Sequence, residues 1–182
     1  MAIFKFRQIY LSIKEELGEE GVNKLFPEYS SLCDKMPQSE QAKLAKIITD
    51  RMDEMLDDDT VKRIRHKRCC NIPKNHEAEI TRLKKEKKNT DEIIKEYSNF
   101  LKPGYIIKDK DSYIISFGLG KCVCGMFHKL STYDLMSKTW CECCNAHVKK
   151  TFKLICDKDL ASEIVEAVAC GDKDCIFKIA VN

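Results

Sequence analysis

The sequence predicts an α+β fold in which a helical N-terminal half packs on a small antiparallel sheet. Apolar residues recur at helical spacing through most of the first hundred positions. Short runs rich in Ile, Val, Tyr and Phe then follow Pro103 in pairs. We place the boundary at this change of pattern, between a helical region over 1–103 and an α+β region over 104–182, and expect both to form one compact unit.

Helix ends are marked by glycine, proline and capping residues. The first helix is expected to stop at Gly18, and the second to cover about 20–34 and to end before Pro37. The last helix of the N-terminal half is expected to end at Pro103-Gly104. The residues expected to cap or to start the later helices are Ser39, Thr60, Asn75 and Asn89.

Two hairpins are expected in the C-terminal half. The first joins 105–107 to 113–117 through a Lys-Asp-Lys-Asp turn, and the second joins 163–168 to 175–181 around Gly171. A helix over 145–155 lies between them. These strands are the small sheet of the predicted fold.

The charge is unevenly distributed along the chain. The net charge is +3, yet the segment 61–88 holds eleven Lys and Arg against three Glu. We interpret this basic segment as an exposed face that balances the acidic N-terminal helices. A nucleic-acid-binding regulator using 61–88 is the less favoured alternative, because the sequence shows no homeodomain, zinc-finger or RNP pattern.

Apolar runs and cysteine usage bear on the compartment. No run approaches the roughly 20 apolar residues that a membrane span needs, and the N-terminus lacks the apolar core of a secretory signal. The eleven cysteines are an odd number in a fairly long chain, which argues against a secreted disulfide framework. We therefore expect a cytoplasmic protein that does not bind membranes.

Two Cys-x-Cys pairs are the strongest chemical signal. They are Cys122 with Cys124, and Cys141 with Cys143. Side chains two residues apart on an extended segment point to the same side, so each pair presents two sulfurs together. Four thiolates fit a closed structural zinc site, and they equally suit an iron–sulfur cluster. We expect zinc first, in a structural role.

Further ligands could come from two other places. Cys69 and Cys70 follow a run of basic residues, which favours the thiolate form. Cys144 and His147 are three residues apart and would share a helix face. The same thiols permit an enzyme instead, with Cys69 or Cys70 as a nucleophile near His66 or His76. No third, orienting group can be identified, so no catalytic residue is assigned.

The end of the chain resembles a known family. Cys170-Gly171, followed by Cys175-x-Phe177-x-Ile179, is similar to the closing motif of the vinyl-reductase-type domains. The cysteine pattern before it also resembles a group of uncharacterised cysteine-rich proteins of anaerobic bacteria and, distantly, the aminothiazoline-carboxylate hydrolase-like proteins. The vinyl-reductase resemblance implies helices on an antiparallel sheet and the binding of small, largely apolar molecules.

Together these patterns predict a cytoplasmic metal-binding protein with an apolar small-molecule pocket and a ligand-binding or sensing role. Pockets of this kind commonly lie between helices and a sheet. A small-ring hydrolase, or a thiol-dependent or iron–sulfur redox enzyme, is the principal alternative. A homodimer is an open option.

Overall fold

The structure, a computed structural model, describes residues 2–33, 35–86 and 89–181. It confirms the α+β fold, with α-helices and a four-stranded sheet. The α-helices are α1 Ala2–Leu25, α2 Gln38–Met55, α3 Asp58–Lys67, α4 Lys74–Glu86, α5 Thr90–Phe100 and α6 Lys138–Cys156. The strands are β1 Tyr105–Asp109, β2 Ser112–Ser116, β3 Ser162–Glu166 and β4 Ile176–Ala180, and short 3₁₀ helices span Pro27–Ser31 and Val168–Cys170.

The chain divides into two compact units that interleave along the sequence. The first unit comprises 1–69, 123–143 and 169–171, and the second comprises 70–122, 144–168 and 172–182. The first unit therefore contains α1, α2 and α3, and the second contains α4, α5 and the four strands. Helix α6 begins in the first unit and continues into the second.

Helices α1, α2 and α3 bury the apolar stripes that the sequence shows. Helix α1 breaks at Gly18, where φ is +70°, as predicted for a residue that can adopt the left-handed region. The second predicted helix is shorter than expected, since the helix ends at Leu25 and a 3₁₀ turn follows. Fully buried side chains of these helices include Phe6, Ile13, Leu25, Ile48 and Ile64.

Capping was predicted correctly at one position and wrongly at two. Asn89 caps α5, accepting a 2.9 Å hydrogen bond from the Glu92 amide. Ser39 and Asn75 lie inside α2 and α4, because those helices begin beside Pro37 and Pro73, one or two residues earlier than expected. Thr60, which was expected to start a helix, lies inside α3. Helix α3 is capped by Asp57, whose carboxylate accepts from the Thr60 amide at 2.9 Å.

The sheet confirms both predicted hairpins. Its strand order is β1-β2-β4-β3, with every neighbouring pair antiparallel. Ile106 pairs with Ile115, and Ile115 pairs in turn with Phe177 on β4. These three side chains are buried, and they form an apolar row across the sheet.

Helix α6 begins earlier than the sequence predicted. It starts at Lys138 instead of 145, so it takes in the whole second cysteine cluster. The difference arises because Trp140 and Cys141 are buried apolar residues that extend the helical stripe toward the N-terminus. In the second unit, Phe152 of this helix packs against Tyr113 of β2, with ring centroids 5.7 Å apart.

The hydropathy of the helices also bears on membrane insertion. Among the residues that the structure describes, no helix combines the length and the apolar character that crossing a membrane would require.

Candidate ligand pocket

A cavity of about 170 Å³ lies within the second unit, between its helices and its sheet. The apolar side chains that line it are Leu101, Ile106, Ile115, Phe117, Leu119, Val148 and Phe152. Ile106 and Ile115 are buried, as are Val148 and Phe152. The cavity therefore has mostly apolar walls, as small-molecule sites usually do.

The walls follow from the spacing of residues in each element. Ile106 and Ile115 are direct partners on β1 and β2, so their side chains lie on the same face of the sheet. Val148, Thr151 and Phe152 occur at helical spacing and share one face of α6. The cavity lies where this helix face meets that sheet face.

Two histidines bring polar edges into this apolar cavity. His76 of α4 and His147 of α6 both line it, and Tyr97 of α5 lies beside them. The His76 Nδ1 atom lies 2.8 Å from the Tyr97 hydroxyl. The His147 Nδ1 atom lies 3.3 Å from the backbone carbonyl oxygen of Cys70. Each ring thus uses Nδ1 for a protein contact while lining the cavity.

Burial sets the ionisation of this cluster. Removal from water raises the pKa of the Tyr97 hydroxyl well above its usual range, so the phenol keeps its proton. Removal from water, with a smaller contribution from the charge of His147, lowers the pKa of His76. At neutral pH His76 is therefore an uncharged imidazole that can both donate and accept a hydrogen bond.

One edge of the cavity is held by a carboxylate. Ser116 donates a short hydrogen bond to Asp174, and the Gly118 amide donates to the same carboxylate at 3.0 Å. Burial alone would raise the pKa of Asp174, but the hydrogen bonds from Ser116 and from backbone amides of Cys175, Gly118 and Leu119 lower it overall. The ionised carboxylate therefore fastens the segment after β2 to the start of β4.

Two of the four cysteines predicted to bind zinc lie in a helix instead of an extended segment. Cys122, Cys124 and Cys141 are buried, and Cys143 is half-buried. Cys141 and Cys143 lie within α6, where side chains two residues apart diverge by about 200° around the axis. The prediction that the Cys141 and Cys143 sulfurs point to the same side of the chain is therefore wrong.

In the first unit, the Lys5 ammonium donates to the Cys124 sulfur at 3.3 Å.

The metal site itself stays a prediction. Across residues 2–33, 35–86 and 89–181, the structure brings together no group of three or more His, Cys, Asp or Glu side chains suited to a metal ion. Of the additional ligands considered, Cys70 is exposed, Cys69 and Cys144 are half-buried, and His147 lines the cavity.

Elemental analysis of protein purified without oxygen tests the metal prediction. We expect about one equivalent of zinc per chain if the four predicted thiolates form a closed site. Replacing Cys141 by Ser should then lower the metal content and the free energy of unfolding together. Iron together with broad visible absorption would indicate an iron–sulfur cluster instead of zinc. Stable protein without any metal would contradict the predicted site.

The enzyme alternative gains one contact that the sequence does not reveal. In the first unit, the His66 Nε2 atom lies 2.6 Å from the buried Glu142 carboxylate. A carboxylate that orients a histidine is the third member of many nucleophilic sites, and Cys69 is three residues beyond His66. The use of Cys69 or Cys70 as a nucleophile stays a prediction.

The basic segment 61–88 forms many ion pairs. In the first unit, Arg63 and Arg68 pair with Glu16 and Glu15 of the acidic helix α1. In the second unit, Arg82 pairs with Glu79 and Glu86, and Lys84 with Asp157. Lys87 and Lys88 lie outside the described residues. Nucleic-acid binding through this segment stays an alternative that these pairs do not test.

Sequence reasoning missed most of the residues around the cavity. The sequence suggests His76 only as a partner of Cys69 or Cys70 in the enzyme alternative, and His147 only as a metal ligand. The available signal was the spacing of His147, Val148, Thr151 and Phe152, which places all four near one helix face. No sequence pattern links these residues to Tyr97 or Ser116, because that proximity depends on the tertiary fold.

Comparison with known proteins gives a family without a function. No curated protein and no solved structure matches the chain. The model of a family of unknown function, DUF6144, matches residues 2–182, almost the whole chain. The chain therefore belongs to the DUF6144 family.

Proposed function

We propose that this protein binds a small, mostly apolar molecule in the cavity of its second unit. The observation that carries the proposal is the combination of apolar walls with two histidine rings in one cavity. Apolar walls favour a ligand through the removal of apolar surface from water. A few polar groups on such walls fix the orientation of the ligand.

The volume limits the size of the ligand. The cavity holds about 170 Å³, slightly more than the roughly 150 Å³ of an apolar protein cavity that takes up benzene. A single six-membered ring with one short substituent therefore fits. Larger ligands would require Leu101 or Leu119 to move; Leu101 is half-buried and Leu119 is exposed.

Two further parts of the proposal rest on the sequence. The similarity of Cys170-Gly171 and Cys175-x-Phe177-x-Ile179 to the vinyl-reductase-type domains supports a ligand-binding or sensing role. The Cys-x-Cys pairs support a bound zinc ion. Both extend the pocket proposal, which depends on neither of them.

The Leu101→Trp variant tests the pocket with toluene as the probe. Leu101 lines the cavity and is only half-buried, so an indole can replace it without entering the densest part of the core. We expect toluene to bind the wild-type protein in ligand-observed NMR, and we expect the variant to lose at least about tenfold in affinity because indole atoms occupy the cavity.

Ile107→Trp is the matched control. Ile107 follows Ile106 on β1, but its side chain is on the opposite face of the sheet and is 53% exposed. Toluene should bind this variant as it binds the wild type. Equal binding by wild type, Leu101→Trp and Ile107→Trp would place toluene elsewhere, and no binding by the wild type would remove the proposed function.

A further inference from the structure

We infer that the two histidines present one hydrogen-bond donor and one acceptor to the cavity, and that the ligand is an uncharged molecule with an apolar body and a primary amide-type end. This inference rests on the proposed function and specifies the ligand class. It follows from the partners of the two Nδ1 atoms, which decide where each ring carries its proton.

The partner of His147 fixes its tautomer. Its Nδ1 atom faces the carbonyl oxygen of Cys70 at 3.3 Å. A carbonyl oxygen only accepts, so Nδ1 must carry the hydrogen. In the neutral ring, Nε2 then has no hydrogen and presents a lone pair. His147 therefore offers an acceptor to a molecule in the cavity.

The partner of His76 fixes the opposite tautomer. Tyr97 is buried, with 2% of the residue exposed, and the raised pKa of its hydroxyl keeps the hydroxyl protonated. A buried hydroxyl hydrogen needs an acceptor, and the partner found for it among the described residues is His76 Nδ1, at 2.8 Å. Tyr97 therefore donates to Nδ1, and His76 carries its own hydrogen on Nε2.

The cavity thus combines an N–H donor from His76 with a nitrogen acceptor from His147. Both rings line the same cavity. A primary amide has the matching pair, a carbonyl oxygen that accepts and an N–H that donates on one planar group. The apolar part of the ligand then contacts Ile106, Ile115 and Phe152.

The lining disfavours an anionic ligand. Within the described part of the chain, the cavity is lined by no Lys or Arg side chain, and burying an unpaired carboxylate is costly. A carboxylate would also face the bare Nε2 lone pair of His147. To bind it, a histidine would have to take up a proton, which the lowered pKa of His76 opposes.

The tautomers can be observed directly by long-range ¹H–¹⁵N correlation NMR at about pH 8, where histidines of ordinary pKa are neutral. The chain has four histidines, so single His→Gln variants assign the signals. We expect His76 to carry its hydrogen on Nε2 and His147 on Nδ1. The same tautomer in both rings, or the reverse assignment, would overturn the inference.

Binding of benzamide, benzoate and toluene tests the ligand class. In the wild type at about pH 8, we expect benzamide to bind and benzoate to bind at least about tenfold more weakly. His147→Phe removes the acceptor and Tyr97→Phe removes the hydroxyl that fixes His76. Each should weaken benzamide about five- to tenfold more than it changes the affinity for toluene, which is the effect of one net hydrogen bond.

His128→Phe is the control for a histidine replacement, since His128 is exposed and does not line the cavity. It should change none of the three affinities. If toluene binds and His147→Phe binds benzamide as tightly as the wild type does, the amide inference is overturned. The proposed function would still stand. Benzoate binding more tightly than benzamide would also overturn the amide inference. If toluene, benzamide and benzoate all fail to bind the wild type, both proposals fail.

Discussion

Replacing Gly118 by Ala is expected to lower the free energy of unfolding by about 3 kcal/mol, through backbone strain and overpacking. Gly118 has a φ of +64°, in the left-handed region that alanine rarely adopts. A Cβ atom built there would lie 2.3 Å from the carbonyl oxygen of Pro103. Since that neighbour is backbone, no side-chain rotation can relieve the contact.

The strain would act on the edge of the pocket. The Gly118 amide donates to Asp174 and to Ser116, both at 3.0 Å, and Ser116 lines the cavity. Displacement of Gly118 should break these hydrogen bonds as well. Chemical denaturation followed by circular dichroism measures the loss of stability, and toluene binding should weaken in parallel.

Gly120→Ala is the matched control. Gly120 also has a positive φ, +57°, but nothing lies within 4 Å of a Cβ built on it. Gly120→Ala should lower the free energy of unfolding by only about 1 kcal/mol, the cost of placing alanine in the left-handed region. Equal losses of stability in Gly118→Ala and Gly120→Ala would contradict this prediction, because they would show that the contact with Pro103 adds nothing to the cost of the Gly118 substitution.

Replacing Arg65 by Ala is expected to lower the free energy of unfolding by about 2–4 kcal/mol, from lost charged hydrogen bonds and a cation–π contact. Arg65 is buried in the first unit and lies over the Trp140 ring, 4.7 Å from its centroid. Its guanidinium donates to the carbonyl oxygens of Thr139 and Trp140 at 3.3 and 2.8 Å. Alanine would leave a cavity and two less satisfied carbonyls at the start of α6.

Two further variants separate packing from charge. Arg65→Lys keeps the charge but loses the planar guanidinium group. It should therefore recover less than half of the free energy of unfolding that Arg65→Ala loses. Arg82→Ala removes an arginine that makes two ion pairs on the half-exposed face of α4, and it should cost less than about 1 kcal/mol. Thermal or chemical denaturation measures all three. A loss in Arg82→Ala as large as that in Arg65→Ala would contradict the role assigned to burial.

The sheet could be predicted because its signals are local. The two hairpins are made of short runs rich in β-branched and aromatic residues, separated by turn residues, and Gly171 has the positive φ of +103° that such a turn favours. Gly18 and Asn89 were also informative, since glycine and asparagine have specific backbone roles at helix ends.

Other features could not be predicted because competing residues decide them. Pro37 and Pro73 fix the starts of α2 and α4 and leave Ser39 and Asn75 inside those helices. Helix α6 extends back to Lys138 because Trp140 and Cys141 are buried. The Cys-x-Cys spacing of Cys141 and Cys143 gave no indication that this segment is helical.

The residues that line the cavity could not be predicted from the sequence. The sequence led us to expect an apolar pocket between helices and a sheet, and it drew attention to cysteines as the chemical groups. The cavity instead contains His76 from α4 and His147 from α6, which are 71 positions apart in the chain. A histidine pair that forms only in the tertiary fold leaves no motif in one sequence.

The most direct test of the pocket is the position of bound toluene, measured by intermolecular nuclear Overhauser effects to assigned methyl groups. The account predicts effects to Ile106, Ile115 and Val148, which line the cavity. It predicts none to Ile107, on the exposed face of β1. Effects confined to exposed methyl groups, with none to the three lining residues, would contradict the central claim that this cavity is the binding site.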